Sequence, residues 1–102
     1  MSVLIAIDQG TTSTRTVAFD KDLNIIRAEQ KEYPLIYPRD GWVEIAPEEL
    51  MSSVYATIDP VIDACLDISA IGITNQRETT LVWDADSGQP IYNAIVWQDR
   101  RT

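Results

Sequence analysis

Five consecutive apolar residues, Val3-Leu4-Ile5-Ala6-Ile7, run without a break into the carboxylate of Asp8. An unbroken apolar run of this length is expected of a strand covered on both faces, so it reads as the central strand of a sheet. The 102 residues, 45% of them apolar, can bury one modest core, and the makeup is neither that of a disordered segment nor that of a fibrous repeat. The chain therefore reads as one domain or part of one.

The hydrophobic period then changes twice. After the turn-forming Gly10 and the hydroxyl cluster Thr11-Thr12-Ser13, residues 14–19 alternate as a strand, residues 20–24 have tight-turn chemistry, and residues 25–33 are extended again, which predicts a three-strand meander. Pro34, Pro38 and Gly41 break the pattern and give an irregular loop through Trp42-Val43-Glu44. A helix opens at Pro47, where a proline at the first position and the acids Glu48 and Glu49 in the first turn suit the free amides and positive end of the dipole. Leu50, Val54, Ile58, Val61, Ile62, Cys65 and Leu66 recur at helical spacing, so one stripe is expected against the sheet. Pro60 argues against a straight helix beyond Asp59, and Ile68–Thr74 reads as a fourth core strand.

Residues 79–84 and 91–97 are both extended in character, and the turn chemistry of Asp86-Ser87-Gly88 between them predicts an antiparallel hairpin. If these three residues close it, Trp97 lies opposite Arg77. A four-residue loop shifts the pairing by one residue, and such a slip reverses the face that each side chain occupies. Consecutive strand residues point to opposite faces, so Arg77 and Glu78 cannot both serve one ligand from a regular strand. The strand is therefore expected to end or bulge between Gln76 and Glu78. Taken singly, Arg77 and Glu78 are solvated strand-end charges and Trp97 is hairpin packing. Brought together, a guanidinium and a carboxylate can hold neighbouring hydroxyls of a small neutral polyol through charge-assisted hydrogen bonds of about 1.5–3 kcal/mol each, with the indole on its carbon face.

Eight basic against sixteen acidic side chains give a net charge of −8, the wrong sign for nucleic acid or an anionic membrane surface. One cysteine and no histidine exclude an intrachain disulfide and argue against a Cys/His metal site, and Cys65 among apolar neighbours reads as a buried small hydrophobe. No segment approaches membrane-spanning length and the start lacks the pattern of a signal peptide, so the cytoplasm is the expected compartment. Asp8, after a strand expected to be buried, is costly unless it serves a cation or several donors. Beyond it, the amides and hydroxyls of Thr11, Thr12 and Ser13 can point at anionic oxygens, with Arg15 adding a charge. The spacing is that of neither a Walker A loop nor a dinucleotide fingerprint, and taken alone these residues could equally close an ordinary hairpin.

Asp8-Gln9-Gly10-Thr11-Thr12-Ser13, Asn75-Gln76-Arg77-Glu78-Thr79-Thr80 and Asn93-Ala94-Ile95-Val96-Trp97-Gln98-Asp99-Arg100-Arg101-Thr102, in this order and over nearly the whole chain, resemble the start of the glycerol kinases of the FGGY carbohydrate kinase family. The resemblance implies an α/β fold: the amino-terminal part of an actin-like ATPase (ribonuclease H-like) domain, a mixed sheet with a packed helix and a hairpin extension. Residues 1–102 would form the amino-terminal portion of domain I, without the second domain. It implies transfer of the terminal phosphoryl group of ATP, as its Mg2+ complex, to glycerol, giving sn-glycerol 3-phosphate and ADP, by a complete enzyme that is a homo-oligomer. Asp8 would orient the hydrated magnesium, and Thr11, Thr12, Ser13 and Arg15 would contact phosphates. Arg77 and Glu78 would hold the glycerol hydroxyls, and Trp97 would pack on its carbons.

No residue of the chain is assigned as general base, since the family's aspartate comes from much further along, and the chain alone is expected to be inactive. Another polyol or sugar kinase of the family and a non-catalytic truncated fragment remain alternatives. An actin-like filament or chaperone ATPase gives no reason for Arg77, Glu78 and Trp97 to converge. The chain departs from the glycerol kinase pattern at Ile45 and Ala46, where a histidine and an aspartate are common, and at Met51, where a tryptophan is usual. Its connection from Cys65 to Ser69 is a few residues shorter than usual.

Overall fold

The computed structural model describes residues 2–65 and 67–101. Its strands and helix are β1 (Val3–Gln9), β2 (Ser13–Phe19), β3 (Ile25–Glu32), β4 (Glu44–Ile45), α1 (Pro47–Asp63), β5 (Ile68–Thr74) and β6 (Ala94–Ile95). The first three strands form the expected antiparallel meander, and β5 returns parallel to β1, giving a mixed sheet in the order β3-β2-β1-β5. The β2–β3 turn is closed by Asp20, whose Oδ1 accepts the amides of Asp22 and Asn24, with Leu23 at φ 64°.

Helix α1 packs across one face of this sheet. Val3, Ile5 and Ile7 point into it and are buried with Ala18 and Val61, while Ile58, Cys65 and Ile68 pack around them. The other face is bare, so the expectation of a central strand covered on both faces is corrected: Leu4 is 40% exposed. Nor is β5 a core strand. It lies at the sheet edge, with Ile71 and Ile73 48% and 73% exposed, because α1 reaches over β1, β2 and β3 and leaves β5 uncovered.

The inward stripe of α1 also differs from the periodicity. Its buried residues are Pro47, Ser53, Thr57 and Val61, and Ile62 is exposed. The reason is chemical. Thr14 and Thr16 of β2 are fully buried and meet Ser53 and Thr57 in hydroxyl–hydroxyl bonds of 2.7 and 2.8 Å, a polar ladder where an apolar stripe was expected. The expected place of Leu66 in that stripe lies outside the described residues. Helix α1 runs past Pro60 to Asp63, and its N-cap, Ala46, makes no side-chain cap bond.

A second core forms beyond the sheet from Tyr33, Val43, Ile45, Ala94 and Val96. Its frame is a short antiparallel stack in which Ile36 pairs with Glu44, β4 with β6, and Ile95 with Thr80. The hairpin predicted over 79–97 is irregular. Asp84 and Gln89 close a loop of four residues rather than three, through the Asp84 amide on the Gln89 carbonyl and Asp84 Oδ1 on the amides of Asp86 and Ser87. Between the Val82–Ile91 bond and the Thr80–Ile95 pair, the later strand carries two extra residues. The register of Arg77 opposite Trp97 is therefore not formed. Continued outward, the Thr80–Ile95 pairing aligns Trp97 with Glu78.

Candidate functional site

The β1–β2 connection is a tight turn in which the Gly10 amide donates to the Ser13 carbonyl at 2.9 Å. A Cβ at Gly10 would stand 3.3 Å from that carbonyl oxygen, so the close approach favours glycine. Tyr33, buried in the second core, clamps the turn from behind: its amide donates to the Thr12 carbonyl at 3.0 Å and its phenol to the Gly10 carbonyl. Burial pushes the phenol up in pKa, which keeps it a donor. Thr12 is exposed and Thr11 half-buried, while the Ser13 hydroxyl accepts from Gln30 at 3.0 Å.

Asp8 is exposed, which corrects the expectation that it follows the strand into a buried position. The strand's alternation decides this. Val3, Ile5 and Ile7 face α1, so Leu4 and Asp8 lie on the open face, where Asp8 is directly opposite Arg15 on β2. Among the described residues no group of three or more acidic, histidine or cysteine side chains could hold a metal ion. Asp8 by itself suits a hydrated cation that arrives already bound to phosphate, as magnesium does.

The second wall begins where β5 ends at Thr74, earlier than the break expected between Gln76 and Glu78, so that Arg77 and Glu78 leave the regular strand together. Arg77 and Glu78 form a turn in which Glu78 has φ 67°, a left-handed conformation that costs a non-glycine residue on the order of 1–3 kcal/mol. Arg77, Glu78 and Trp97 together line one open concavity of about 420 Å³. The structure thus brings the three predicted residues together, through a strained turn and a bulged hairpin rather than through the expected register. Trp97 also joins the two walls: its indole Nε1 donates to Thr11 Oγ1 at 2.9 Å, and its amide donates to Thr79 Oγ1 at 3.2 Å.

Sequence reading missed one cluster. Arg101 bridges Glu44 at 2.9 Å and Asp99 at 2.6 Å and lies over the Trp42 ring at 3.9 Å. Glu44 is 1% exposed. Burial alone would raise its carboxyl, but hydrogen bonds from Tyr92, Asn93 and Arg101 outweigh that and hold it below its usual value. The Arg101 guanidinium holds Asp99 far below the carboxylate range, helped by the amides of Arg101 and Val43, and is itself held charged by Asp99. The available signal was Glu44, a lone charge in the run Trp42-Val43-Glu44-Ile45.

The β1–β2 turn, with the hydroxyl of Thr11, therefore adjoins a small concavity lined by a cation, a carboxylate and an indole on an α/β framework. The chain belongs to the FGGY family of carbohydrate kinases: residues 3–102 match that family's N-terminal domain. A glycerol kinase of Clostridium perfringens is 56% identical over 97% of the chain, and the chain spans 21% of that relative's length. Among solved structures, a Plasmodium falciparum glycerol kinase with ADP superposes on 99% of the chain with a TM-score of 0.88 at 39% identity, the chain covering 21% of it. A gluconate kinase of Lactobacillus acidophilus superposes equally well, TM-score 0.88 over 96% of the chain and 20% of its own, at 27% identity. The fold is accordingly that of the actin-like ATPase domain of these kinases. Backbone shape does not separate substrates here, so side chains must.

Proposed function

We propose that this chain forms the amino-terminal portion of the first domain of a glycerol kinase, which moves the terminal phosphoryl group of ATP to a terminal hydroxyl of glycerol in the cytoplasm, giving sn-glycerol 3-phosphate. One observation carries the reading: Arg77, Glu78 and Trp97 line a single concavity, and the indole is hydrogen-bonded to Thr11 of the adjoining loop. Glu78 would accept from two neighbouring hydroxyls, Arg77 would donate to their oxygens, and the half-exposed indole would cover the carbons. Thr11, Thr12, Ser13 and Arg15 would receive phosphate oxygens, and Asp8 would hold the water shell of Mg2+. When bound, that ion would supply charge neutralisation at the phosphates. Phosphoryl transfer asks chiefly for alignment and charge stabilisation, and two walls joined by a hydrogen bond suit alignment. The strain at Glu78 supports the reading, because a bulky charged residue in a left-handed turn is a common mark of a functional position.

The general base and second lobe would come from residues beyond these 102, and the complete enzyme would be a homo-oligomer. The test is Glu78→Gln in a full-length kinase carrying this segment. It keeps size and removes charge, so kcat/KM for glycerol should fall at least about tenfold, roughly 1.4 kcal/mol, with the KM for ATP little changed. Unaltered glycerol kinetics would make Glu78 a surface charge and sink the assignment. Gluconate phosphorylation in preference to glycerol would favour another member of the family.

A further inference from the structure

The hydrogen bonds at the two walls form a closed circuit. The Tyr33 phenol donates to the Gly10 carbonyl, and Gln76 Nε2 donates to the Tyr33 oxygen at 3.4 Å. The Thr79 hydroxyl donates to Gln76 Oε1 at 2.8 Å and accepts the Trp97 amide at 3.2 Å. The Trp97 indole then donates to Thr11 Oγ1 at 2.9 Å, and Thr11 is bonded to Gly10. The Gln76 amide has a preferred orientation, because a flip would set its Oε1 against the Tyr33 oxygen, whose proton is given to Gly10. Tyr33 and Thr79 each donate once and accept once. The one hydroxyl proton the ring leaves uncommitted is on Thr11, whose oxygen accepts from Trp97, and it is free to donate outward from the loop.

We propose that Thr79 is a positioning residue that closes this circuit, fixing the spacing between the polyol concavity and the β1–β2 loop and leaving the Thr11 hydroxyl as a donor to phosphate. Thr79 lines neither wall, and its side chain acts only through Gln76 and Trp97. Alignment of two reactants is sensitive to displacements on the order of 1 Å, worth roughly 100-fold in rate, and a ring of directional bonds holds such a distance better than one contact does. The inference rests on the glycerol kinase reading.

Thr79→Val is isosteric and removes both of its bonds, while Thr79→Ser keeps the hydroxyl. In a full-length kinase carrying residues 1–102, the valine variant should lose about tenfold or more in kcat, with KM for glycerol and ATP each within about threefold of wild type and the serine variant restoring the rate. In the 102-residue chain, the amide and indole N–H resonances of Trp97 should shift in the valine variant and return in the serine variant. Gln76→Met opens the ring one bond away and should reproduce the kcat loss even if Thr79→Val folds poorly. An unchanged kcat in both Thr79→Val and Gln76→Met, or a loss that appears in KM alone, overturns the proposal. A wild-type enzyme that ignores glycerol overturns the glycerol reading, whereas a wild type that turns it over beside unchanged variants overturns the circuit alone.

Discussion

Beneath α1, burial follows repetition: Val3, Ile5 and Ile7 enter the core at every second residue of a regular strand, and Val61 meets them from the helix. Around Ile45, burial follows pairing between distant residues. Val43, Ile45, Ala94 and Val96 come from segments about fifty positions apart, joined by two-residue strands and by Glu44, Asp99 and Arg101. The first core is carried by backbone ladders. The second depends on a few directional side-chain bonds, and the concavity of Arg77, Glu78 and Trp97 is built on its rim.

The largest way to test that contrast is a truncation in each core. Ile5→Ala and Ile45→Ala should each cost about 2–5 kcal/mol, since both side chains are buried, at 2% and 0% exposed. Their readouts should differ. Trp42, Trp83 and Trp97 all lie outside the four-stranded sheet, whereas the helix reports the first core. Ile5→Ala should lower the urea midpoint seen by both tryptophan fluorescence and helical circular dichroism, and Ile45→Ala should lower the fluorescence midpoint first. Coincident shifts in both variants would merge the two cores into one cooperative unit.

Acid should separate the regions next. Glu44 and Asp99 are held below their ordinary values of 4.5 and 3.8, so their contribution is complete above those values and is lost as pH falls toward the depressed folded ones. Asp84, lowered by the amides of Ser87 and Asp86, acts in the same direction in the hairpin. Asp20, in the β2–β3 turn, is lowered in the same way by the amides of Asn24 and Asp22 and is the first region's counterpart, but it has no buried carboxylate like Glu44 beside it. Below about pH 4 the tryptophan signal should therefore change before the helical signal does. The reverse order would show that the carboxylates of the second core carry little.

The smallest effect sharpens the joint between the cores. Ala46 caps α1 without a side-chain bond. Ala46→Asp should add about 1 kcal/mol by accepting a first-turn amide and facing the positive helix end, read as a higher melting temperature. No gain would mean that Glu48 and Glu49 already repel the new carboxylate.

This contrast also explains what the sequence could convey. The meander, the start of α1 and the end of β5 before Arg77 were legible, because alternation, Pro47 and the geometry of adjacent strand residues are local rules. The face of α1 was less so, since Ser53 and Thr57 acquire their partners, Thr14 and Thr16, only in three dimensions. Arg77, Glu78 and Trp97 were singled out correctly as neighbours and placed in the wrong register, because a bulge of two residues in 91–95 leaves no compositional trace. The Glu44–Arg101 pair spans 57 positions, a distance across which no periodicity speaks.

The two edges of the main sheet are chemically unlike. β3 carries Arg27, Glu29, Lys31 and Glu32, charges that discourage another strand from docking. β5 reads Ile-Ser-Ala-Ile-Gly-Ile-Thr, with no charge at all. Its outward amides and carbonyls are open to a second strand, but a growing ribbon would need both edges and only one is receptive. Two copies joined β5 to β5 about a twofold axis would present charged β3 edges on either side. Such an encounter would be self-terminating, ending at a pair where a sheet with two neutral edges would go on to a fibre.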